Sequence, residues 1–205
     1  FFGDVHTADG LFDKSYVFDG HTDIINVGGG SDFDFEVQNF SISTWVRTNV
    51  SSGTVVSNYF DYVIPFNGGW DMHVSGGNAS FKYFIGVANL EEIISNISIS
   101  DNNWHNFLYV HEYNNGGAGI RKIYVDGVLG HDGTDLEDIY YYPGTSGDSL
   151  HIGRANTLES FNGSMDEVMI FNTTHTPSQV SDIYNNQSAR FKESGTVAVK
   201  AQDIG

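Results

Sequence analysis

The chain has 205 residues and no cysteine, which excludes disulfide bonds, thiolate metal sites and a cysteine nucleophile. Its formal net charge of −17, from 26 acidic and 9 basic residues, makes binding to nucleic acid or to an anionic membrane electrostatically unfavourable. No run of apolar residues is long enough for a membrane-spanning helix.

Short segments rich in β-branched and aromatic residues recur between turn-forming clusters, and each predicts a strand. In chain order they are SYVFDG, DIINV, FSISTWVR, TVVSNYFDYVIPF, WDMHV, ASFKYFIGV, IISNISI, HNFLYVHEY, RKIYVDGVL, SLHIG, MDEVMIF and GTVAVKA. This number of strands with little helix predicts an all-β sandwich or barrel. No composition shift or linker divides the chain, so we predict a single domain over residues 1–205.

Two local signals are sharper than the strands themselves. Asp126-Gly127 between IYV and VLG predicts a tight hairpin, because a primed turn needs positive φ at both central residues. The segment TPSQVSDIYNNQ predicts one helix, which Thr176 caps and in which Pro177 suits the first turn.

The stretch FNGSMDEVMIF sets two carboxylates directly before an apolar run. Side chains alternate between the two faces of a strand, so either Asp166 or Glu167 shares a face with apolar neighbours. We therefore expect one of these carboxylates inside the fold or at its rim.

Seven N-x-Ser/Thr sequons occur, more than this composition would give by chance. They are at Asn39, Asn49, Asn78, Asn96, Asn162, Asn172 and Asn186. We predict an extracellular, secreted chain with covalent N-glycans; the alternative is that an Asn- and Ser-rich β-protein accumulates sequons in its turns. The chain opens at Phe1 without initiator methionine or signal peptide, which we interpret as a processed mature chain or a fragment.

The order of six motifs points to a known fold. They are DGLFDKSYVFDGHTDII, FSISTWVR, NWHNFLYVHEY, IRKIYVDGVL, LHIGR and FNGSMDEVMIFNTTHTPSQVSDIYN, and together they reach from about Asp9 to Tyr184. This order resembles the laminin G-like jelly rolls of the concanavalin A-like lectin/glucanase superfamily, and the final SGTVAVKAQD resembles the closing strand that many of these domains add. The resemblance implies an antiparallel β-sandwich with one short peripheral helix. It leaves function open, because this fold serves carbohydrate binding, adhesion, calcium-stabilised scaffolding and catalysis.

The resemblance also implies a structural calcium ion. In related domains an aspartate at the position of Asp166 often binds calcium, with oxygens of the FDG turn, here Asp19 and Gly20, close by; Asp23 is a weaker candidate. A hard cation takes about six to eight oxygens, which glycine turns and carboxylates supply together. The alternative is that Asp166 accepts backbone N–H bonds at the start of its strand while Asp19 makes an Asx turn.

The catalytic pattern of the glucanases is not recognisable. Those enzymes carry Glu, Asp and Glu at alternate positions of one strand, whereas in DLEDIYYY the residues Asp135 and Glu137 are followed on the same face by Ile139. The eight histidines show neither H-x-x-x-H nor H-E-x-x-H, and we interpret His73 and His151 as structural. We predict that the chain is not an enzyme.

Binding surfaces have two sources in the sequence. A sugar face stacks on exposed aromatic rings, for which Trp70 and the run Tyr140, Tyr141 and Tyr142 are candidates; the alternative is that they pack in the core or on the sheet. The strands NYFDYVIPF and FKYFIGV are long, nearly uncharged and β-prone, so either pairs with another subunit if it lies at a sheet edge.

From these features we predict a structural role: an extracellular glycoprotein subunit, stabilised by calcium, that self-assembles through β-edges into a filament or surface layer. The alternative is a calcium-dependent carbohydrate-binding or adhesion module of a larger surface protein.

Overall fold

The computed structural model describes residues 5–11, 13–35, 37–61, 67–85, 89–114, 119–136, 149–155 and 159–197. In these residues two antiparallel sheets pack face to face and one helix lies outside them, which confirms the predicted all-β jelly-roll class. The elements are β1 (His6–Asp9), β2 (Lys14–Asp19), β3 (Ile25–Gly29) followed by a 3₁₀ turn (Gly30–Phe33), β4 (Phe40–Arg47), β5 (Ser52–Asp61), β6 (Asn67–Ser75), β7 (Asn78–Ile85), β8 (Asn89–Ser98), β9 (Trp104–Glu112), β10 (Gly119–Val125), β11 (Val128–Leu136), β12 (Ser149–Ile152), β13 (Asn162–Phe171) and α1 (Pro177–Val197).

The first sheet has seven strands in the order β1-β2-β13-β4-β9-β10-β11, and the second has six in the order β3-β12-β5-β6-β7-β8. Early and late strands of the chain are neighbours in both sheets. Each sheet therefore needs both halves of the chain, and the two sheets share one core, as in a jelly roll. The single-domain assignment for residues 1–205 stays a prediction.

Alternate residues of the strands build the core between the sheets. Phe40 and Ile42 of β4 and Trp70 and Met72 of β6 are completely buried. The ring centroids of Phe40 and Trp70 lie 6.0 Å apart, so aromatic packing joins the two sheets directly. This alternation also decides which side chains of β6 face outward.

The hairpin predicted at Asp126-Gly127 is present between β10 and β11. Asp126 has φ 53° and Gly127 has φ 76°, the positive values of a primed turn, and Val125 pairs with Val128 across it. A Cβ atom at Gly127 would lie 3.3 Å from a ring carbon of Tyr184, so the turn also packs against α1.

A β-bulge explains the two carboxylates before the apolar run of β13. The pairing with β4 shifts between Asp166, opposite Trp45, and Met169, opposite Ser43, and Glu167 has φ 50°. Asp166 is half-buried at the rim, as expected for one of the two carboxylates. Its Oδ2 accepts the N–H of Leu11 at 3.0 Å, and its Oδ1 accepts the N–H of Glu167 at 2.9 Å.

The helix begins where the sequence predicts and ends later. Thr176 and Gln179 form the N-terminal cap: Gln179 Oε1 accepts the Thr176 N–H at 2.8 Å, and Thr176 Oγ1 accepts the Gln179 N–H at 3.4 Å. The closing strand expected from Ser194 is wrong for residues 194–197, which belong to α1. The run SARFKE before them contains mostly good helix formers, so the helix continues through it; residues 198–205 lie outside the described residues.

Candidate functional site

Strand β6 places two titratable side chains on the outer face of the six-stranded sheet. Trp70 and Met72 face the core, so Asp71 and His73 between and after them face away from it. Pairing across the sheet sets Asp71 opposite Ser57 of β5 and Lys82 of β7. These neighbours form one cross-strand row.

The row continues to the sheet edge and gains one residue from a loop. Glu92 of β8 pairs with Lys82, and Glu159, which precedes β13, lies over His73 and Lys82. The Glu159 carbonyl accepts the N–H of Thr54, which fixes this loop residue against β5. We call Asp71, His73, Lys82, Glu92 and Glu159 the outer polar cluster.

Glu159 holds the cluster together. Its Oε2 lies 3.1 Å from His73 Nε2 and accepts a hydrogen bond from Lys82 Nζ at 3.0 Å. Burial raises the pKa of Glu159, but the hydrogen bond from Lys82 and the charges of His73 and Lys82 outweigh it, so the pKa is lowered on balance. Glu159 is therefore the ionised acceptor of the cluster at neutral pH.

Asp71 lies in a different environment from Glu159. It is 4% exposed, and its Oδ1 accepts no hydrogen bond from the described residues. His73 Nδ1 lies 3.7 Å from this oxygen, too far for a hydrogen bond. Burial raises its pKa to about 7, Lys82 opposes this, and Glu159 and Glu92 add to it. A buried carboxylate without hydrogen bonds is costly, which makes Asp71 the unusual group of the face.

His73 is neutral at physiological pH. Burial and the charge of Lys82 lower its pKa to about 4, although Glu159 and Glu92 act in the opposite direction. Because Glu159 is ionised and lies 3.1 Å from Nε2, the proton of the neutral ring is best placed on Nε2, where it is donated to that carboxylate. The Nδ1 lone pair then faces Thr54 Oγ1 at 3.5 Å.

This geometry favours binding over nucleophilic catalysis. Ser52 Oγ lies 3.4 Å from His73 Nε2, and Asp71 lies beyond Nδ1, in the order of a hydroxyl, an imidazole and a carboxylate. However, Nε2 carries its proton toward Glu159 and cannot accept one from Ser52. The low pKa of His73 also makes it a weak base, so the groups are better suited to hydrogen bonding with a ligand.

The residues predicted as one calcium site lie in two places. Asp19 pairs with Asn162, four residues before Asp166 on β13, so about 13 Å of strand separates Asp19 from Asp166. The two carboxylates therefore do not meet at one point in this structure, and calcium binding at either of them stays a prediction. In the described part of the chain, no group of three or more His, Asp or Glu side chains is arranged to hold a metal ion.

Each half of that predicted site is occupied by backbone donors. Asp19 Oδ1 accepts the N–H groups of His21 at 2.7 Å and Thr22 at 3.1 Å, and Asp23 Oδ2 accepts the N–H of Asp19 at 2.9 Å. This is the Asx turn named as the alternative, and Asp166 likewise accepts backbone N–H groups.

The aromatic candidates have different outcomes. Trp70 is not an exposed platform: it is completely buried, and its Nε1 donates to the carbonyl of Phe33 at 3.1 Å. Its ring stacks on Phe81, because β6 and β7 both turn their apolar face inward. Tyr140, Tyr141 and Tyr142 lie outside the described residues.

The sequon asparagines lie mostly at the surface. Asn78 is half-buried and the other six are exposed, namely Asn39, Asn49, Asn96, Asn162, Asn172 and Asn186. Exposure is necessary for N-glycosylation, and whether any of these residues carries a glycan stays a prediction.

Sequence reasoning missed the outer polar cluster. It treated His73 as structural and did not name Asp71, although the alternation in WDMHV puts both on one face of a strand. Glu159 gave no local signal, because it reaches Lys82 from a position 77 residues further along the chain.

The comparisons with known proteins agree with the fold. A family model described as the concanavalin A-like lectin/glucanases superfamily matches residues 19–181. Domain 4 of AbnA, a GH43 extracellular arabinanase from Geobacillus stearothermophilus solved in complex with arabinotriose, is 22% identical with a TM-score of 0.61, over 89% of this chain and 82% of that one. No curated protein matches the chain.

Two toxin domains are similar in the same way. The binding domain of botulinum neurotoxin serotype G is 20% identical with a TM-score of 0.66, and that of Paraclostridial Mosquitocidal Protein 1 is 18% identical with a TM-score of 0.67. The alignments cover 91% and 89% of this chain but only 46% and 45% of the toxin domains. At such identities the likeness shows the fold alone.

The helix in the described part of the chain does not combine the length and the hydropathy of a membrane-spanning segment.

Proposed function

The chain belongs to the concanavalin A-like lectin/glucanases superfamily, and from that premise we propose that it is a carbohydrate-binding module that binds glycans on the outer face of its six-stranded sheet. The fold alone does not select this function, since it serves many. The proposal therefore depends on the chemistry of the outer polar cluster.

The observation that carries the proposal is the Asp71 carboxylate. It is buried, it lacks a hydrogen-bond donor within the described residues, and it lies beside an ammonium group, Lys82, that has donors to spare. Sugar hydroxyls both donate and accept hydrogen bonds, so they match this pair. Such a ligand would supply Asp71 with the donor that the protein does not.

The similar structures are consistent with a binding role. The arabinanase domain was solved with an arabinose trisaccharide, and the two toxin domains are binding domains by name. What they bind belongs to those proteins. For this chain, the arabinanase domain supports glycan binding as the property to test first.

Calorimetric titration of oligosaccharides into the protein tests the proposal. We expect binding that Asp71→Ala and Lys82→Ala each weaken, while Glu112→Gln, an exposed charge change on the other sheet, leaves it unchanged. Absence of binding across neutral and acidic oligosaccharides would remove the proposed function.

A second candidate function is self-assembly. The two strands that the sequence suggested for it do not lie at a sheet edge: β5 lies between β12 and β6, and β7 lies between β6 and β8. Other strands supply the exposed edges. Four of the exposed large hydrophobic residues lie on two edge strands, Leu90 and Ile94 on β8 and Val128 and Leu129 on β11. These edges adjoin, because His131 Nδ1 of β11 lies 3.2 Å from the Ile94 carbonyl oxygen. An exposed apolar edge of this kind suits contact with a second copy, and repeated head-to-tail contact gives a filament or layer.

Electron microscopy and sedimentation of the secreted protein test this second candidate. We expect filaments that Ile94→Lys disrupts and that Thr22→Lys, an exposed position on the opposite side of the sandwich, leaves intact. Isolated particles at all concentrations would exclude self-assembly and leave glycan binding unaffected.

We further propose that the chain is extracellular and carries N-glycans on its exposed sequons. The absence of cysteine is neutral on this point, and the support is the seven sequons with six exposed asparagines. An intact mass equal to the polypeptide mass, measured on protein from its native source, would remove the glycan proposal.

We also propose calcium binding, at the Asp19 turn or at Asp166. The Asp19–Asp23 turn and Asp166 lie apart along β13, and their carboxylate oxygens accept backbone hydrogen bonds, so we propose each as a separate candidate for the ion. Melting temperatures with calcium and with chelator decide it: a stabilisation lost in Asp19→Asn or in Asp166→Asn locates the ion, and identical melting removes it.

A further inference from the structure

The outer polar cluster has an unbalanced charge. The carboxylates of Glu92 and Glu159 and the carboxyl group of Asp71, which is only partly ionised at neutral pH because burial raises its pKa to about 7, lie around one ammonium group, that of Lys82. His73 adds no positive charge at neutral pH, because burial and Lys82 lower its pKa to about 4. The face therefore repels anions, and the net charge of the chain acts in the same direction.

The single ammonium group is already neutralised. Lys82 Nζ donates to Glu159 Oε2 at 3.0 Å, and Glu92 is its cross-strand neighbour on the other side. A carboxylated or sulfated sugar that binds Lys82 would have to displace Glu159 from it. The Glu159 carboxylate would then lose its contacts with both Lys82 Nζ and His73 Nε2. Discrimination against such a ligand is therefore built into the cluster.

Hydroxyl groups meet no such obstacle. Lys82 has three N–H donors, of which Glu159 takes one, so it can donate to a neutral hydroxyl without losing its ion pair. Asp71 needs a donor, and only 6% of its side chain is exposed, which leaves room for a single hydroxyl but not for a ring face. Asp71 and Lys82 are direct cross-strand neighbours, with Cβ atoms about 5 Å apart.

We infer that the ligand of this face is a neutral glycan, recognised when one of two adjacent hydroxyls donates to Asp71 and the other accepts from Lys82. This inference rests on the proposed function and specifies its ligand class. Asp71 is then the residue that determines specificity, because it accepts a donor that an acidic substituent at the same place would lack.

Titration of two matched probe sets tests the inference. The neutral set is arabinan, xylan, cellulose and mannan oligosaccharides, and the acidic set is oligogalacturonate, alginate and heparin oligosaccharides. We expect neutral probes to bind at least about tenfold more tightly than acidic ones, and Asp71→Asn to weaken neutral binding by about 10- to 100-fold. Glu92→Lys is expected to strengthen the binding of acidic probes and so to reduce the difference in affinity between the neutral and acidic sets.

The outcomes separate the inference from the function. Tighter binding of acidic probes overturns the ligand class but keeps glycan binding. Neutral binding that Asp71→Asn leaves unchanged overturns the role of Asp71 and moves the ligand elsewhere. No binding of either set removes the proposed function itself. Thermal melting of Asp71→Asn and of the control Glu112→Gln excludes loss of fold as the reason for lost binding.

Discussion

The two outer faces of the sandwich differ in the kind of side chain that they bury. On the seven-stranded sheet, Leu108, Val110 and Tyr124 are buried against Val180 and Ile183 of α1. On the six-stranded sheet, the buried outward groups include the carboxylate of Asp71 and the imidazole of His73. Apolar burial under a helix stabilises the fold, whereas buried ionisable groups cost stability, and it is on these groups that the proposed binding face depends.

The buried indole of Trp45 on the helix-covered face has a hydrogen-bond partner in α1. The Trp45 Nε1 donates to Gln187 Oε1 at 2.7 Å, and the indole ring stacks on Tyr184 with centroids 5.7 Å apart. Asp71 on the opposite face has no equivalent donor in the described residues. Burial by itself does not indicate role. Asn106 Oδ1 and Tyr124 Oη on the helix-covered face are also buried without a hydrogen-bond partner among the described residues, but these groups are neutral, whereas Asp71 is an ionisable carboxyl group.

The largest effect is expected from removing the aromatic anchor of the helix. Trp45→Ala should lower the free energy of unfolding by about 3–5 kcal/mol, because it leaves a cavity and strands Gln187. Urea denaturation measures it, with Val128→Ala, an exposed position, as the control within about 0.5 kcal/mol. If both variants lose the same small amount, the helix does not stabilise this face.

The second prediction concerns the opposite face and has the opposite sign. Asp71→Asn should raise the free energy of unfolding by about 1–2 kcal/mol at pH 8, because the wild-type carboxyl must ionise while buried. The folded pKa, about 7, is above the unfolded value of 3.8, so this group favours the folded state at low pH and loses that contribution as pH rises through about 7. The gain should therefore vanish near pH 4. A variant that is less stable than wild type at pH 8 would show that Asp71 serves the fold rather than a ligand.

His73 also affects how the free energy of unfolding depends on pH, in wild type and in Asp71→Asn. Its folded pKa of about 4 is below the unfolded value of 6.5, so its contribution is present above 6.5 and is lost as pH falls through about 4. Between these pH values Asp71 and His73 have opposite slopes that nearly cancel. Urea denaturation at several pH values between 4 and 6.5 should show that the free energy of unfolding rises more steeply with pH in Asp71→Asn than in wild type, because the variant keeps the contribution of His73 and loses the opposing one of Asp71. Parallel profiles would contradict this.

The sequence predicts the fold better than the site for a physical reason. Strands and the turn at Asp126-Gly127 are predicted from patterns of neighbouring residues, and these patterns do not depend on what packs against them. The sequence left open whether Trp70 is an exposed platform or a core residue, because this depends on which face of β6 meets distant residues. It is completely buried, as the second alternative had it. The outer polar cluster depended on strand register and on Glu159 from a distant loop, neither of which a single sequence displays. The longer helix was missed because residues 188–193 were assigned no element and the segment from Ser194 was assigned to a strand.

A smaller effect is expected at the hairpin beneath the helix. Gly127→Ala should lower the free energy of unfolding by about 1–2 kcal/mol, since φ is 76° and the added Cβ would lie 3.3 Å from Tyr184. Gly76→Ala is the matched control: its φ is 59°, but no atom lies within 4 Å of the added Cβ. Thermal denaturation of both separates backbone strain from contact with α1, and equal losses would show that the helix contact contributes nothing.

The smallest effect should come from His105, whose two nitrogens are both paired at the rim of the seven-stranded sheet. Nδ1 lies 2.8 Å from Asp126 Oδ2 and Nε2 lies 3.0 Å from Asp101 Oδ1. The hydrogen bond with Asp126 raises the pKa of His105, burial opposes it, and Asp101 adds to it. A raised folded pKa gives stability that is present below the unfolded value of 6.5 and is lost as pH rises through the folded pKa. His105→Gln should therefore cost about 0.5–1 kcal/mol at pH 5.5 and less at pH 9, measured by urea denaturation, because solvent screens this partly exposed group. If His105→Gln costs the same free energy at both pH values, His105 stabilises the fold through neutral hydrogen bonds. His105 and Asp71 would then differ in the number of hydrogen-bond partners each has and not in the effect of its charge.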